Sequence, residues 1–122
     1  MGVYVTVRGW LECDRTQLAR IEELVTRPRT DQPYSGGWTF PARQGAWTTL
    51  VFFGADMREQ YVGTVLDQLR AVARIPASDE DDDLVRGIFV VSHEAGGTEE
   101  WRVHAGEVAI EEATARYTFL DE

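Results

Sequence analysis

Three side chains in this 122-residue sequence are soft metal ligands that could also pair as thiol nucleophile and base: Cys13, His93 and His104. A thiol acts as a nucleophile when a base lies within hydrogen-bonding reach, and a cysteine–histidine pair would supply one. Cys13, however, falls on the apolar side of an alternating segment, where a thiol is usually inert. Ser92-His93-Glu94 opens like the zinc-binding pattern H-E-x-x-H, but Gly97 stands where the second histidine belongs. A closed zinc site would have to recruit carboxylates around these few soft ligands. The reading is therefore no catalytic residue, no metal and no cofactor. The sequence holds no phosphate-binding loop and no dinucleotide fingerprint; Gly96-Gly97 reads as a hairpin turn.

The carboxylates are numerous. Asp79, Glu80, Asp81, Asp82 and Asp83 run consecutively. A calcium loop needs alternating ligands and a glycine at its sixth position, which this run lacks. It reads as a solvated loop, or as a decoy that presents carboxylates to a groove built for phosphates. The net charge is −9, from 12 Lys plus Arg (all arginine) against 21 Asp plus Glu. Such a chain repels the phosphate backbone from which nucleic-acid binding draws its affinity. It is equally unsuited to anionic membrane surfaces. A basic protein is the favoured partner, because opposite net fields raise the association rate.

Periodicity supplies the elements that must position these groups. In residues 3–13, VYVTVRGWLEC, the side chains Val3, Val5, Val7, Leu11 and Cys13 point one way and Tyr4, Thr6, Arg8, Trp10 and Glu12 the other. The pattern is a strand buried on its odd face. Asp14 and Gln17 make a capping box, and Leu18, Ile21, Leu24 and Val25 follow at helical spacing, predicting a helix over 15–26. Residues 27–36 are a proline-containing loop. Residues 37–41 and 46–53 read as strands joined near Arg43-Gln44-Gly45, and both faces of WTTLVFF are apolar enough to leave its core face open. Asp56 and Glu59 repeat the capping spacing ahead of Val62, Val65, Leu66, Leu69 and Val72, which predicts a helix over 57–74, with Gly63 as a point of close helix–sheet approach. Strands are expected over 84–91, 100–104 and 107–111, and an extended or loosely held tail over 114–122.

The expected chain is one α+β domain over 1–122, in the order βαββαβββ. Its architecture is a two-layer sandwich with both helices on one face of a mostly antiparallel sheet, an order compatible with a ferredoxin-like fold carrying an added C-terminal hairpin. If both helices cover one face, the other exposes Tyr4, Arg8, Trp10 and Glu12, and Arg102 and His104 can join them. In YSGGWTFP, Trp38 either packs against the sheet or joins that surface as an aromatic anchor.

The segments VRGWLECD, YSGGW, FFGAD and GIFVVSHEAGG, spread over about residues 3–108, resemble small α+β immunity proteins encoded beside secreted bacterial polymorphic toxins. The resemblance implies an inhibitor that occludes the active site of a co-encoded toxin. Taken with the acidity, it leads to the expectation of a cytoplasmic binding protein for a basic toxin. Tyr4, Arg8, Trp10, Glu12, Trp38 and Asp79 to Asp83 would form the contact surface. Two other classes stand beside it: a small enzyme using Cys13, His93 or His104, and a structural or phage-associated protein forming a homodimer or larger symmetric oligomer through the open face.

Overall fold

A computed structural model describes residues 3–27, 32–42, 47–78 and 80–121. Strand β1 (Tyr4–Cys13) alternates strictly enough to be sheltered on one face, and it lies inside the sheet, hydrogen-bonded on both edges. Helix α1 (Arg15–Thr26) follows directly. The Asp14 carboxylate accepts the Gln17 amide at 2.8 Å, and the Gln17 side chain accepts the Asp14 amide at 3.0 Å, closing the expected capping box. Then come β2 (Trp38–Thr39), β3 (Thr49–Arg58), α2 (Val62–Ala73), β4 (Arg86–His93), β5 (Thr98–His104) and β6 (Glu107–Glu112). The six strands form one antiparallel sheet in the order β2-β3-β1-β4-β5-β6. Among the described residues no helix is long and apolar enough to cross a membrane.

Both helices bury their apolar stripes on the face that carries the odd residues of β1. Ile21 and Val25 of α1 and Val65, Leu69 and Val72 of α2 share one core with Val5, Val7, Leu11, Val51, Phe53, Phe89 and Trp101. Burial of each such side chain is worth about 1.5–3 kcal/mol. Trp38 belongs to this core rather than to the surface, which corrects its candidacy as an exposed anchor. Its ring is 6 % exposed and packs 4.8 Å from Phe53 and 6.3 Å from Phe89, centroid to centroid. Gln17 is buried as well, and its amide donates to the Asp83 carbonyl at 2.9 Å, tying the start of α1 to the connection ahead of β4.

Several boundaries differ from the periodicity reading. The Asp56–Glu59 spacing caps no helix. Residues 54–58 continue β3 instead, ten register pairs face β1, and Met57 is fully buried in the sheet. A long ladder satisfies a backbone amide or carbonyl at nearly every residue, and it outweighs a local capping signal worth about 1 kcal/mol. A 3-10 turn, Glu59–Tyr61, then leads into α2. Gly63 faces open space rather than the sheet. The segment 37–41 pairs over only Trp38–Thr39, and the expected turn at 43–45 lies outside the described residues. The tail is neither extended nor loose: Thr114–Arg116 and Thr118–Asp121 are 3-10 turns.

The close approach in the sheet lies elsewhere, between β1 and β4. A Cβ on Gly9 would stand 2.1 Å from the Ile88 carbonyl oxygen, and one on Gly87 would stand 2.2 Å from that of Trp10. Backbone cannot yield as the end of a flexible side chain can. Gly9→Ala is therefore expected to destabilise the chain by about 2–3 kcal/mol through overpacking, read as a lower urea midpoint. A midpoint unchanged within error would contradict this strand contact.

Candidate functional site

The face opposite the helices is lined by the even residues of β1 and their register partners. Trp10 pairs with Phe52 of β3 on one side and Ile88 of β4 on the other, and Ile88 pairs with Arg102 of β5. Directly paired residues share a face, so Phe52, Trp10 and Ile88 form a continuous apolar row across three strands. Trp10 is 43 % and Phe52 40 % exposed. Neither α1 nor α2 covers this row, because both pack on the opposite face. Glu12 and Arg86 form the next cross-strand pair beside the row, 3.6 Å apart as a surface ion pair worth little in itself.

Of the expected surface residues, Arg8, Trp10 and Glu12 occur together here. Arg8 donates from Nη2 to Ser92 Oγ at 3.2 Å, while its buried Nε finds no partner among the described residues. Tyr4 shares the face but stands at its far end, six positions from Trp10 along β1, or roughly 20 Å. There the Arg58 guanidinium lies 6.0 Å from its ring centroid. Glu80, Asp81, Asp82 and Asp83 are exposed in the connection that enters β4 at Arg86, and Asp83 lines a shallow cleft with Glu12 and Arg86. Asp79 lies outside the described residues. Phe52 and Ile88 were missed by sequence reasoning. In β3 both faces are apolar, so only the pairing with Trp10 reveals which side Phe52 takes.

The tail closes the β5–β6 side of the same face. Glu100 belongs by register to the open face, yet only 3 % of it is exposed. Its carboxylate accepts from the Tyr117 hydroxyl at 2.5 Å, Arg102 Nε at 2.6 Å and Arg116 Nη1 at 2.8 Å. The Tyr117 hydrogen bond first, and then the two guanidiniums, hold the carboxyl down at about 2 against the burial that would raise it. Arg102 also reaches Glu111 at 3.1 Å. A buried carboxylate so fully satisfied is a structural clamp for residues 114–121.

The three groups suited to catalysis are scattered. His93 pairs opposite Val5, eight positions along β1 from Cys13 and thus roughly 26 Å away. There it meets Glu99 at 3.2 Å. His104 ends β5, two strands from β1 and on the other face. The Cys13 thiol is pushed up to about 12 by burial and then by the neighbouring Asp14 charge. The shallow cleft beside it, between Asp14, Trp47, Asp83 and Leu84, holds about 110 Å³, well below the roughly 300 Å³ at which small-molecule sites begin. Among the described residues no group of three His, Cys, Asp or Glu side chains is placed to hold a metal ion.

No family model matches the chain, and no curated protein or solved structure does.

Two outcomes follow from this geometry. The native Cys13 thiol is expected to be at least about tenfold slower than a free thiol toward a disulfide reagent at pH 8, and to react at once in denaturant. Equal rates would mean that the thiol is accessible. Glu100 has a depressed pKa in the folded chain, so its contribution to stability is full above the ordinary carboxylate range and fades as pH falls from about 4.5 to about 2. Glu100→Gln is therefore expected to cost about 1.5–3 kcal/mol at pH 7. The gap to wild type should close in urea titrations approaching pH 2, and a gap independent of pH would refute the charged clamp.

Proposed function

We propose that the chain is a protein-binding module that docks a cationic partner on its open sheet face, in the manner of an immunity protein occluding the active site of a co-encoded basic toxin in the cytoplasm. The observation that carries this reading is the exposed row Phe52–Trp10–Ile88 on a face without helices. Rigid aromatic rings are the side chains that most often dominate binding energy, because they bury large area at low entropic cost. A protein-sized hollow is not required, and the small cleft beside Cys13 is no obstacle. Within the same reading the sheet order is that of a ferredoxin-like fold, with β2, β3, β1 and β4 as its sheet and β5–β6 as a C-terminal hairpin.

Charge supports the cationic partner. The net charge is −9, the carboxylates from Glu80 to Asp83 are exposed, and Asp83 shares a cleft with Glu12, the next open-face residue of β1 after Trp10. Carboxylates there steer encounter, and the aromatic row holds the complex once formed. Arg8, half-buried in the same face and hydrogen-bonded to a neutral serine, retains donors for a carboxylate or carbonyl of the partner.

The test takes the basic C-terminal domain of a secreted protein encoded beside this chain and measures binding by calorimetry and stopped flow. Trp10→Asp is expected to cost about 2–4 kcal/mol of affinity with the fold unchanged. Neutralising Glu80, Asp81 and Asp82 should slow association about tenfold at low salt and leave dissociation nearly constant. Wild-type affinity in Trp10→Asp would reject the open face as the binding surface. A homodimer that Trp10→Asp dissociates would assign that face to a second copy instead.

A further inference from the structure

The two edges of the sheet are finished differently. Beyond the short β2, the outer edge of β3 is closed by a preceding loop. The Tyr34 hydroxyl accepts the Arg58 amide at 3.1 Å, and Gly37 lies so near Gly54 that a Cβ would stand 2.6 Å from its carbonyl oxygen. At the opposite edge β6 pairs with β5 alone, and among the described residues no strand pairs outside it.

The register fixes which backbone groups point outward. The Ala113 amide donates to the Thr98 carbonyl at 2.8 Å, continuing the ladder by one hydrogen-bonded pair. Hydrogen-bonded and non-bonded pairs alternate in antiparallel sheets, so Glu111, Ala109 and Glu107 bond to β5. The amides and carbonyls of Val108, Ile110 and Glu112 therefore face away from the sheet. Ala105 and Gly106, with φ of 53° and 81°, form the two-residue turn that holds this register. Side chains divide as cleanly. Val108 and Ile110 lie on the helix side with Val103 and Trp101, and Ile110 is 45 % exposed. Glu107, Ala109 and Glu111 lie on the open side.

We propose that the β6 edge accepts an extended cationic segment of a partner protein as an added strand. The outward groups of Val108, Ile110 and Glu112 would supply main-chain hydrogen bonds, as in other cases of strand addition. The alternation sets the chemistry of the segment: apolar residues beside Val108 and Ile110, and Lys or Arg beside Glu107 and Glu111. A second copy of this chain fits poorly, because Glu107, Glu111 and Glu112 of both strands would line one seam of like charge. The proposal is independent of the open-face reading, since β6 lies three strands from Trp10.

The test uses the full chain and a blocked octapeptide of alternating valine and lysine, followed by amide hydrogen exchange. Exchange at Val108, Ile110 and Glu112 is expected to slow at least about tenfold on peptide addition. An octapeptide of alternating valine and glutamate should leave it unchanged. Ile110→Pro removes one outward amide without touching the β5 ladder, as proline does on edge strands, and should abolish the effect. Glu107→Lys combined with Ile110→Lys, two exposed positions that put the fold at no risk, should weaken binding about tenfold. Trp10→Asp should bind as wild type. Protection that persists in Ile110→Pro, equal binding of the acidic peptide, loss of binding in Trp10→Asp, or no protection at all would each overturn the proposal. So would a peptide-free dimer in which the same amides are already protected.

Discussion

Strand β1 is hydrogen-bonded along its length to β3 on one side and along most of it to β4 on the other, and most other features of the molecule depend on that double pairing. Because side chains alternate along a strand, a central strand committed to burying Val5, Val7, Leu11 and Cys13 must send Arg8, Trp10 and Glu12 to the opposite face. A slip of one residue would exchange the two sets. The pairing admits no slack at its middle, where Gly9 and Gly87 let two backbones meet at distances that a single added methyl would violate. The aromatic row on the open face is thus a consequence of the core. Trp10 is outside because its neighbours in sequence are inside.

The open face is then shared between two treatments. Over β5 and β6 it is sealed by the tail, held through one buried carboxylate with a hydroxyl and two guanidiniums around it. Over β3, β1 and β4 it leaves Phe52 and Trp10 exposed. The clamp concentrates charge pairing where the surface is closed, and aromatic surface remains where it is open. Cys13, His93 and His104 lie far apart on the same sheet. Their separation comes from the sheet itself, which carries Cys13 and His93 to opposite ends and His104 to the other face.

The large negative charge is unevenly expressed along the rim. Exposed carboxylates gather in the connection before β4 and again along β6. The first group precedes Arg86 at the start of β4, and the second follows the edge strand β6. Like charges brought together across either seam would cost free energy.

Local pattern alone was enough for the inward and outward sides of β1, the capping box at Asp14 and Gln17, the span of α1 and the apolar stripe of α2, because each depends on side chains a few positions apart. The exposure of Trp10 was legible for the same reason, as the partner of a buried set. Tertiary structure decided everything that depends on a distant strand. The capping spacing at Asp56 gave way to a ladder with Tyr4 to Arg8. Phe52 turned outward only because Phe53 was needed against Trp38, and Trp38 itself went inside. The tail folded down over Glu100, some fifteen residues earlier, where Arg116 and Tyr117 add donors to the one that Arg102 supplies. Periodicity records which residues share a face. Which face then meets water depends on what the rest of the chain lays over it, and that is a property of the assembled layers.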